Sequence, residues 1–446
     1  MRKTATVLLA LCASLTAWAI EMPKAGPQYM PEVMEPIVAP FDVSGIHKPE
    51  FASRSVTVNS AGHDRTDGID IESTTNSLIE YCSLDCGDDC YTIKNATIWA
   101  PQQPADARAS FGLKDAYKDY FTIGVSLNQR NVSDDAQKAL VLKEFNSVTA
   151  ENDMKPGELH PKEGVWNWER ADKIANFCRK NGIKMRGHCL CWHAQFADWM
   201  FTDKNGNEVK KEVFYERLRE HIHTVVNRYK DVVYCWDVVN EAIADDEQAQ
   251  PGQEPCPYRQ SRHFMLCGDE FIAKAFEFAR EADPSATLIY NDYSTVSLGK
   301  RERIYNMVKK MKDAGVPIDG IGMQGHYNIY YPDADLLDQA ITRFKHLVNH
   351  IHITELDLRM NSESGGQLMF SHGEAKPQSE HMQQQQSEQY GRIFSVLRKH
   401  ADVIDNVTFW NLSDRDSWLG VNNHALPFDE QYRPKPCYHA ICDFTF

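Results

Sequence analysis

No stretch of this sequence holds the ~20 consecutive apolar residues that a bilayer-spanning helix requires. Basic charge is in short supply: 48 Lys and Arg stand against 63 Asp and Glu, a formal net charge of −15. Such a surface repels a phosphate backbone, which argues against a nucleic-acid partner. It argues more weakly against a polyanionic substrate such as pectin, because a local basic cleft can override the average. No Cys/His spacing matches a zinc site and the histidines are scattered, so neither metal nor organic cofactor is implied. With 42% hydrophobic and 25% charged residues, the composition also excludes disordered and collagen-like chains.

What is present begins with an export signal over residues 1–19. Arg2 and Lys3 supply its charged start, Val7 to Leu15 an apolar core too short to span a membrane, and Ala17-Trp18-Ala19 a small-x-small cleavage site. The mature chain is therefore expected to be soluble and secreted, either extracellular or periplasmic. Twelve cysteines are present, and loss of Cys12 with the signal leaves an odd number. In an oxidising compartment some pairing is expected, with Cys256 and Cys267, flanking a short loop, as the candidate pair. Cys189 and Cys191, two apart on a strand end, are too strained a spacing to pair.

From Phe121 onward, short β-rich runs alternate with helical-period segments. The strands read as Phe121–Leu127, Ser147–Glu151, Ile183–Cys189, Val232–Asn240, Thr287–Asn291, Gly320–Gln324, Ile351–Asp357 and Val407–Trp410. The helices between them read as Asp134–Phe145, Trp168–Asn181, Lys211–Tyr229, Asp269–Ala282, Lys300–Ala314, Ala334–Val348 and Ser387–His400. Eight alternations predict an α/β fold with a closed parallel (β/α)8 barrel, a TIM barrel, over residues 110–446. An open doubly wound sheet is the competing arrangement, but no glycine-rich phosphate turn follows the first strand. Gln383–Gln386 reads as a solvated polar loop before the last of these helices.

Polar residues gather where the strands end, the rim on which barrel enzymes place their chemistry. Glu241 closes the run Trp236-Asp237-Val238-Val239-Asn240-Glu241, and Glu355 lies in Ile353-Thr354-Glu355-Leu356-Asp357. The fourth and seventh strands lie across the barrel mouth from each other. Their carboxylates could thus flank a glycosidic bond, one protonating the leaving oxygen while the other attacks the sugar. A lone buried-strand glutamate could equally be half of a structural ion pair. The aromatic and histidine residues around the same rim favour the catalytic reading.

These blocks, in order, carry a resemblance. Thr149-Ala150-Glu151-Asn152-Asp153-Met154-Lys155, Arg186 to His193, Trp236 to Ala242, Tyr290-Asn291-Asp292-Tyr293, Gly322 to His326 and Ile353 to Asp357 resemble the family-ten glycoside hydrolases, which are xylanases. The resemblance runs from about Ser110 to the C-terminus. It implies a retaining endo-1,4-β-xylanase with Glu241 as acid/base and Glu355 as nucleophile, acting on xylan and xylo-oligosaccharides; a monomer without a cofactor is expected, although the sequence itself does not give the oligomeric state. An acid is helped by burial and a nearby negative charge, whereas a nucleophile must stay ionised. His326 would help Glu355 stay so and Asp357 would hold His326, with Asp237 as a further supporting carboxylate. Asn240 would bond the sugar 2-hydroxyl, and a retaining pair is expected ~5–5.5 Å apart. Glu151, Asn152, Lys155, His188, Trp192, His193 and Gln324 look like the sugar-binding groups. Trp410 and Trp418 look like the tryptophans that floor and cap the site, where a flat ring would favour a pentose. Cys189, Cys191, Ser294 and Asn411 depart from the family pattern, which puts fine affinity rather than activity in question.

The N-terminal quarter is of another kind. Residues 20–54 are proline-rich and linker-like. Asp67-Gly68-Ile69-Asp70 and Cys86-Gly87-Asp88-Asp89-Cys90 resemble coils of the polygalacturonase β-helix, which would make Asp67, Asp88 and Asp89 catalytic. Residues 55–100 cover only about two coils where at least three are normally needed. The later His and Arg-x-Lys elements are missing as well. The segment is expected to be a small β-rich remnant without activity. Two other readings of the chain stay open: a non-catalytic polysaccharide-binding protein, and a pectin-directed role for this segment.

Overall fold

A computed structural model describes residues 111–248, 255–360 and 379–444, together with the backbone of five short strands nearer the N-terminus. The chain divides into two compact units, Met1–Ala109 and Ser110–Phe446. In the first, Thr4–Leu11 pairs antiparallel with Ser55–Asn59 and with Ser77–Ser83, and Asp70–Glu72 pairs parallel with Thr92–Lys94. The expected cleavage site at Ala17–Ala19, the linker-like residues 20–54, and Asp67, Asp88 and Asp89 lie outside the described residues.

The second unit is a closed barrel. Its strands are β1 (Thr122–Leu127), β2 (Ser147–Ala150), β3 (Lys184–Trp192), β4 (Val233–Asn240), β5 (Thr287–Asp292), β6 (Gly320–Met323), β7 (His350–Arg359) and β8 (Ile404–Phe409). Each pairs in parallel with the next, and β8 returns to β1 through Asn406↔Thr122 to Phe409↔Val125, so the sheet has no open edge. The expected (β/α)8 barrel is therefore the observed fold. The helices that cover it are α1 (Asp135–Glu144), α2 (Glu169–Asn181), α3 (Lys211–Tyr229), α4 (Glu270–Ala282), α5 (Leu298–Asp313), α6 (Ala334–Lys345), α7 (Glu380–Lys399) and α8 (Pro436–Cys442). Among the described residues no helix is long and apolar enough to cross a membrane.

Strands packed on both faces read as continuous buried runs rather than alternating ones. β2, β6 and nearly all of β7 do so. On the outer face of the barrel, opposite the inward-pointing Arg186 and Asp237, Gly187 of β3 is bare because the fully buried Trp236 of β4 occupies its side: a Cβ there would sit 2.1 Å from the indole. The starts of α1 and α6 are fixed by short polar side chains that accept orphan N–H groups. Asp134 accepts from Gln137 N at 2.9 Å, and Asp333 from Leu336 N at 2.8 Å.

Two expectations are corrected. Ser379 caps α7 by accepting from Met382 N, so the helix begins at Glu380 and takes in the glutamine run that read as a loop. Gln386 is buried there, with Nε2 donating to the Leu358 and His424 carbonyls, so it fastens α7 to the strand ends instead of facing water. Cys256 and Cys267 are not paired: all eight cysteines among the described residues of the second unit are free thiols. Cys256 lies on a short strand that pairs with Ile243–Gln248, its sulfur beside Gln260 Nε2, whereas Cys267 is buried at the end of a separate helix.

Candidate active site

Glu241 follows the last residue of β4 with φ of +57°, in the left-handed region that a non-glycine residue occupies at a cost. Its N–H donates to Asn291 O at 2.9 Å, and its carbonyl accepts from Arg259 Nε at 3.1 Å. The carboxylate then projects into the rim. Oε2 accepts from Trp192 Nε1 at 2.8 Å, and Oε1 accepts from Gln324 Nε2 at 2.8 Å and Asn240 Nδ2 at 3.3 Å.

Glu355 sits within β7 and is buried. Its Oε1 accepts from Asn291 Nδ2 at 2.8 Å, and its Oε2 lies 3.2 Å from His326 Nε2. The other nitrogen of that imidazole, Nδ1, lies 2.8 Å from Asp357 Oδ2, two residues beyond Glu355 and hence on the same face of the strand. Burial alone would lower the pKa of His326, but Asp357 first and Glu355 second reverse this and raise it to about 10. The ring is thus an imidazolium donating from both nitrogens. For Glu355, burial pushes the pKa up. The hydrogen bond from His326, with the His188 and His326 rings nearby, outweighs that and holds the carboxyl below the usual glutamate range.

Most of the remaining rim residues touch one another or the two glutamates. Asp237 accepts from Arg186 Nη2 at 2.5 Å and from His188 Nδ1 at 2.8 Å, all three being buried. Burial opposes ionisation of Asp237, yet Arg186 and His188 keep its pKa low, so His188 carries a proton on Nδ1, facing the carboxylate. The edge of His188 meets Trp410 at 5.3 Å between ring centroids. Trp418, 38% exposed, leans over His326 at 4.9 Å and donates Nε1–H to Asp357 Oδ2 at 2.8 Å. Lys155 bonds Asn152 Oδ1 at 2.8 Å and lies 4.9 Å from the Trp192 ring. His193 Nδ1 lies 3.9 Å from Glu241 Oε2; burial, then Arg259, lowers its pKa to about 4, leaving it neutral. Glu151 stands apart, with Oε2 accepting from Asn128 Nδ2 at 3.2 Å.

One residue that the sequence reading placed on the rim without a role is central. Asn291, at the end of β5, donates to both Glu355 Oε1 and Asn240 Oδ1, and its own Oδ1 accepts from Thr354 Oγ1 at 2.6 Å. Gly322 makes room for it, since a Cβ there would lie 2.4 Å from Asn291 Oδ1. The signal was an amide between two strand-end blocks, but its partners sit on β4 and β7, far away in sequence. Two of the departures from the family pattern, Ser294 where asparagine is usual and Asn411 where glycine is usual, fall on backbone that disfavours them. Ser294 has φ of +53° and Asn411 +95°, conformations that asparagine and glycine adopt more easily than most residues.

One glutamate just past β4 and one within β7 of a closed barrel, ringed by imidazole, amide and indole groups, define a glycoside hydrolase of the carboxylate-pair kind. Residues 112–444 match the model of Glycosyl hydrolase family 10, and the chain belongs to that family. An endo-1,4-beta-xylanase/feruloyl esterase of Xylanibacter ruminicola is 73% identical over 347 residues, covering 77% of this chain and 48% of that protein. The chain thus spans about half the length of that relative. An endo-1,4-beta-xylanase of Geobacillus stearothermophilus is 42% identical over 336 residues, covering 74% of this chain and 97% of its own. Among solved structures, a psychrophilic glycoside hydrolase family 10 endo-beta-1,4-xylanase matches with a TM-score of 0.70 and 57% identity, over 75% of this chain and 99% of that one.

Proposed function

We propose that the barrel is an endo-1,4-β-xylanase that cleaves internal β-1,4-xylosidic bonds of xylan and xylo-oligosaccharides with retention, by double displacement. Glu355 attacks the anomeric carbon while Glu241 protonates the departing oxygen; Glu241 then takes a proton from the water that releases the glycosyl-enzyme. The observation that carries this division is the different support of the two carboxylates. Glu355 is buried and held ionised by an amide and an imidazolium. Glu241 is more open, at 13% side-chain exposure, and is oriented by neutral indole and amide donors. Asn240 is placed to bond the sugar 2-hydroxyl, a contact that strengthens in the transition state. Lys155, His188, Trp192, His193 and Gln324 bind the sugars at the cleavage point, with Glu151 and Asn152 beside them, and Trp410 and Trp418 floor and cap it.

Reducing-sugar release from the full chain on xylan, polygalacturonate and carboxymethylcellulose tests this reading. Release from xylan that is abolished by Glu355→Ala supports it. Release from polygalacturonate with xylan untouched would assign the chemistry to the N-terminal unit. A non-catalytic binding protein is disfavoured because it would lack a member of the carboxylate pair. Residues 55–100 are read as an inactive β-helix remnant, supported by the Asp-bearing motifs and the parallel pairing of Asp70–Glu72 with Thr92–Lys94. Retention of the chain on polygalacturonate through that segment would count for a pectin-binding role instead. Export, supported by Arg2, Lys3 and the apolar run before Ala17, and a monomeric state belong to the same reading.

A further inference from the structure

Behind Glu241 lies a set of charges that double displacement does not itself use. Lys300, in the first turn of α5, is only 2% exposed, and its ammonium lies 2.9 Å from both Asp292 Oδ1 and Asp245 Oδ1. Asp292 ends β5, fully buried, and also accepts from Tyr293 N at 2.8 Å and from the Tyr290 hydroxyl. Asp245 lies past the end of β4, where its Oδ2 accepts from the Tyr293 hydroxyl at 2.8 Å. That hydroxyl accepts from Arg259 Nη2 at 2.6 Å, and Arg259 Nε is the donor to the Glu241 carbonyl. The Lys300 ammonium also lies 3.3 Å from the centroid of the Tyr293 ring.

The same elements secure the backbone that leaves β4. Ala242 O accepts from Arg259 N at 2.8 Å, and Ile243 N donates to the Tyr290 hydroxyl at 3.0 Å. The carbonyls of Ala244 and Asp245 accept from Arg303 Nη2, one helical turn beyond Lys300. A lysine removed from water must be paired, and a buried ammonium flanked by two carboxylates is a costly arrangement in which to hold two loops. Its geometric consequence is specific. It ties the segment after Glu241 to the end of β5 and to α5, against the strain of a left-handed residue at 241. Glu355 draws its side-chain support from Asn291 and His326 instead.

From this arrangement we propose that Lys300, acting through Asp245, Tyr293 and Arg259, is a positioning residue for the acid/base, aiming Glu241 at the leaving oxygen and leaving the attack by Glu355 untouched. The proposal rests on Glu241 being the acid.

Aryl β-xylobiosides separate the two carboxylates. A dinitrophenolate leaves without a proton, whereas a phenolate needs one, and kcat/KM reports the glycosylation step for both. Lys300→Met is expected to lower kcat/KM on the phenyl substrate by about 10-fold or more, and on the dinitrophenyl substrate by less than about 3-fold. Should that variant fail to fold, Arg259→Met, at a half-buried position, carries the same expectation. Equal losses on both substrates would overturn the proposal, since a loss of folded enzyme or of nucleophile geometry does not discriminate between leaving groups. Glu241→Ala serves as the reference. If it too shows no discrimination, the acid assignment falls and the proposal with it; if it discriminates while neither variant does, the proposal alone falls.

Discussion

Asn291 donates its side-chain amide to Oε1 of Glu355 over 2.8 Å. The same nitrogen reaches Asn240 Oδ1 at 2.9 Å, and the amide oxygen accepts from Thr354 Oγ1, so the side chain cannot turn without breaking a bond. One amide therefore supports both Glu355, the proposed nucleophile, and Asn240, the residue proposed to bond the 2-hydroxyl. A hydrogen bond to a charged group contributes about 1.5–3 kcal/mol. Asn291→Ala should lower kcat/KM on xylo-oligosaccharides by roughly 10- to 100-fold with little change in the far-UV spectrum. A loss below 3-fold would show that Asn291 is a bystander.

His326 sets an alkaline limit. Its pKa in the fold, about 10, lies above the ordinary histidine value of 6.5. Its pairing with Asp357 and Glu355 therefore stabilises the fold fully below about pH 6.5, and that stability is lost as pH rises through about 10. Glu355 behaves oppositely: its lowered pKa stabilises the fold above the usual glutamate range, and that contribution is lost as pH falls through its lowered value. The melting temperature of the parent should fall between pH 7 and 10 more steeply than that of His326→Gln, which should already be lower at pH 7. Parallel curves would contradict the imidazolium.

Asp237 and Arg186 are both fully buried, with the carboxylate also orienting His188. Removing one partner of such a pair leaves an uncompensated charge, at a cost of about 3–5 kcal/mol. Thermal unfolding of Asp237→Ala should show a destabilisation of about that size. Asp237→Asn, which keeps a group beside His188, should recover part of it.

How much of this was legible in the sequence follows from the range of the interactions. Strand order and the rim positions of Glu241, Glu355, His188 and Gln324 came from local pattern, because a buried strand with a polar end is written in five to eight consecutive residues. The start of α7 was misplaced because the Ser379 cap precedes a polar run that resembles a loop, while Gln386 is buried by contacts to Leu358 and His424. The Cys256–Cys267 expectation rested on spacing, which says nothing of the direction in which the two side chains face. Asn291 and Lys300 were not singled out because each gains its meaning from partners on other strands and loops.

Trp418, the proposed cap of the site, is a partly exposed ring beside His326, pinned by its indole N–H to Asp357. A flat cap leaves little room for a hexose hydroxymethyl group, so Trp418→Ala should reduce the preference for aryl xylosides over aryl glucosides. An unchanged kcat/KM ratio would remove the ring from the account of specificity.

The account stands or falls on a covalent intermediate at Glu355. The measurement is to incubate the enzyme with a dinitrophenyl 2-deoxy-2-fluoro-β-xylobioside, which forms the glycosyl-enzyme readily and releases it slowly, and to map the added mass by peptide mass spectrometry. Retention by double displacement predicts one adduct per barrel, on the peptide containing Glu355 and on that carboxylate. An adduct on Glu241, or turnover of the unfluorinated substrate with no adduct formed at all, would contradict it.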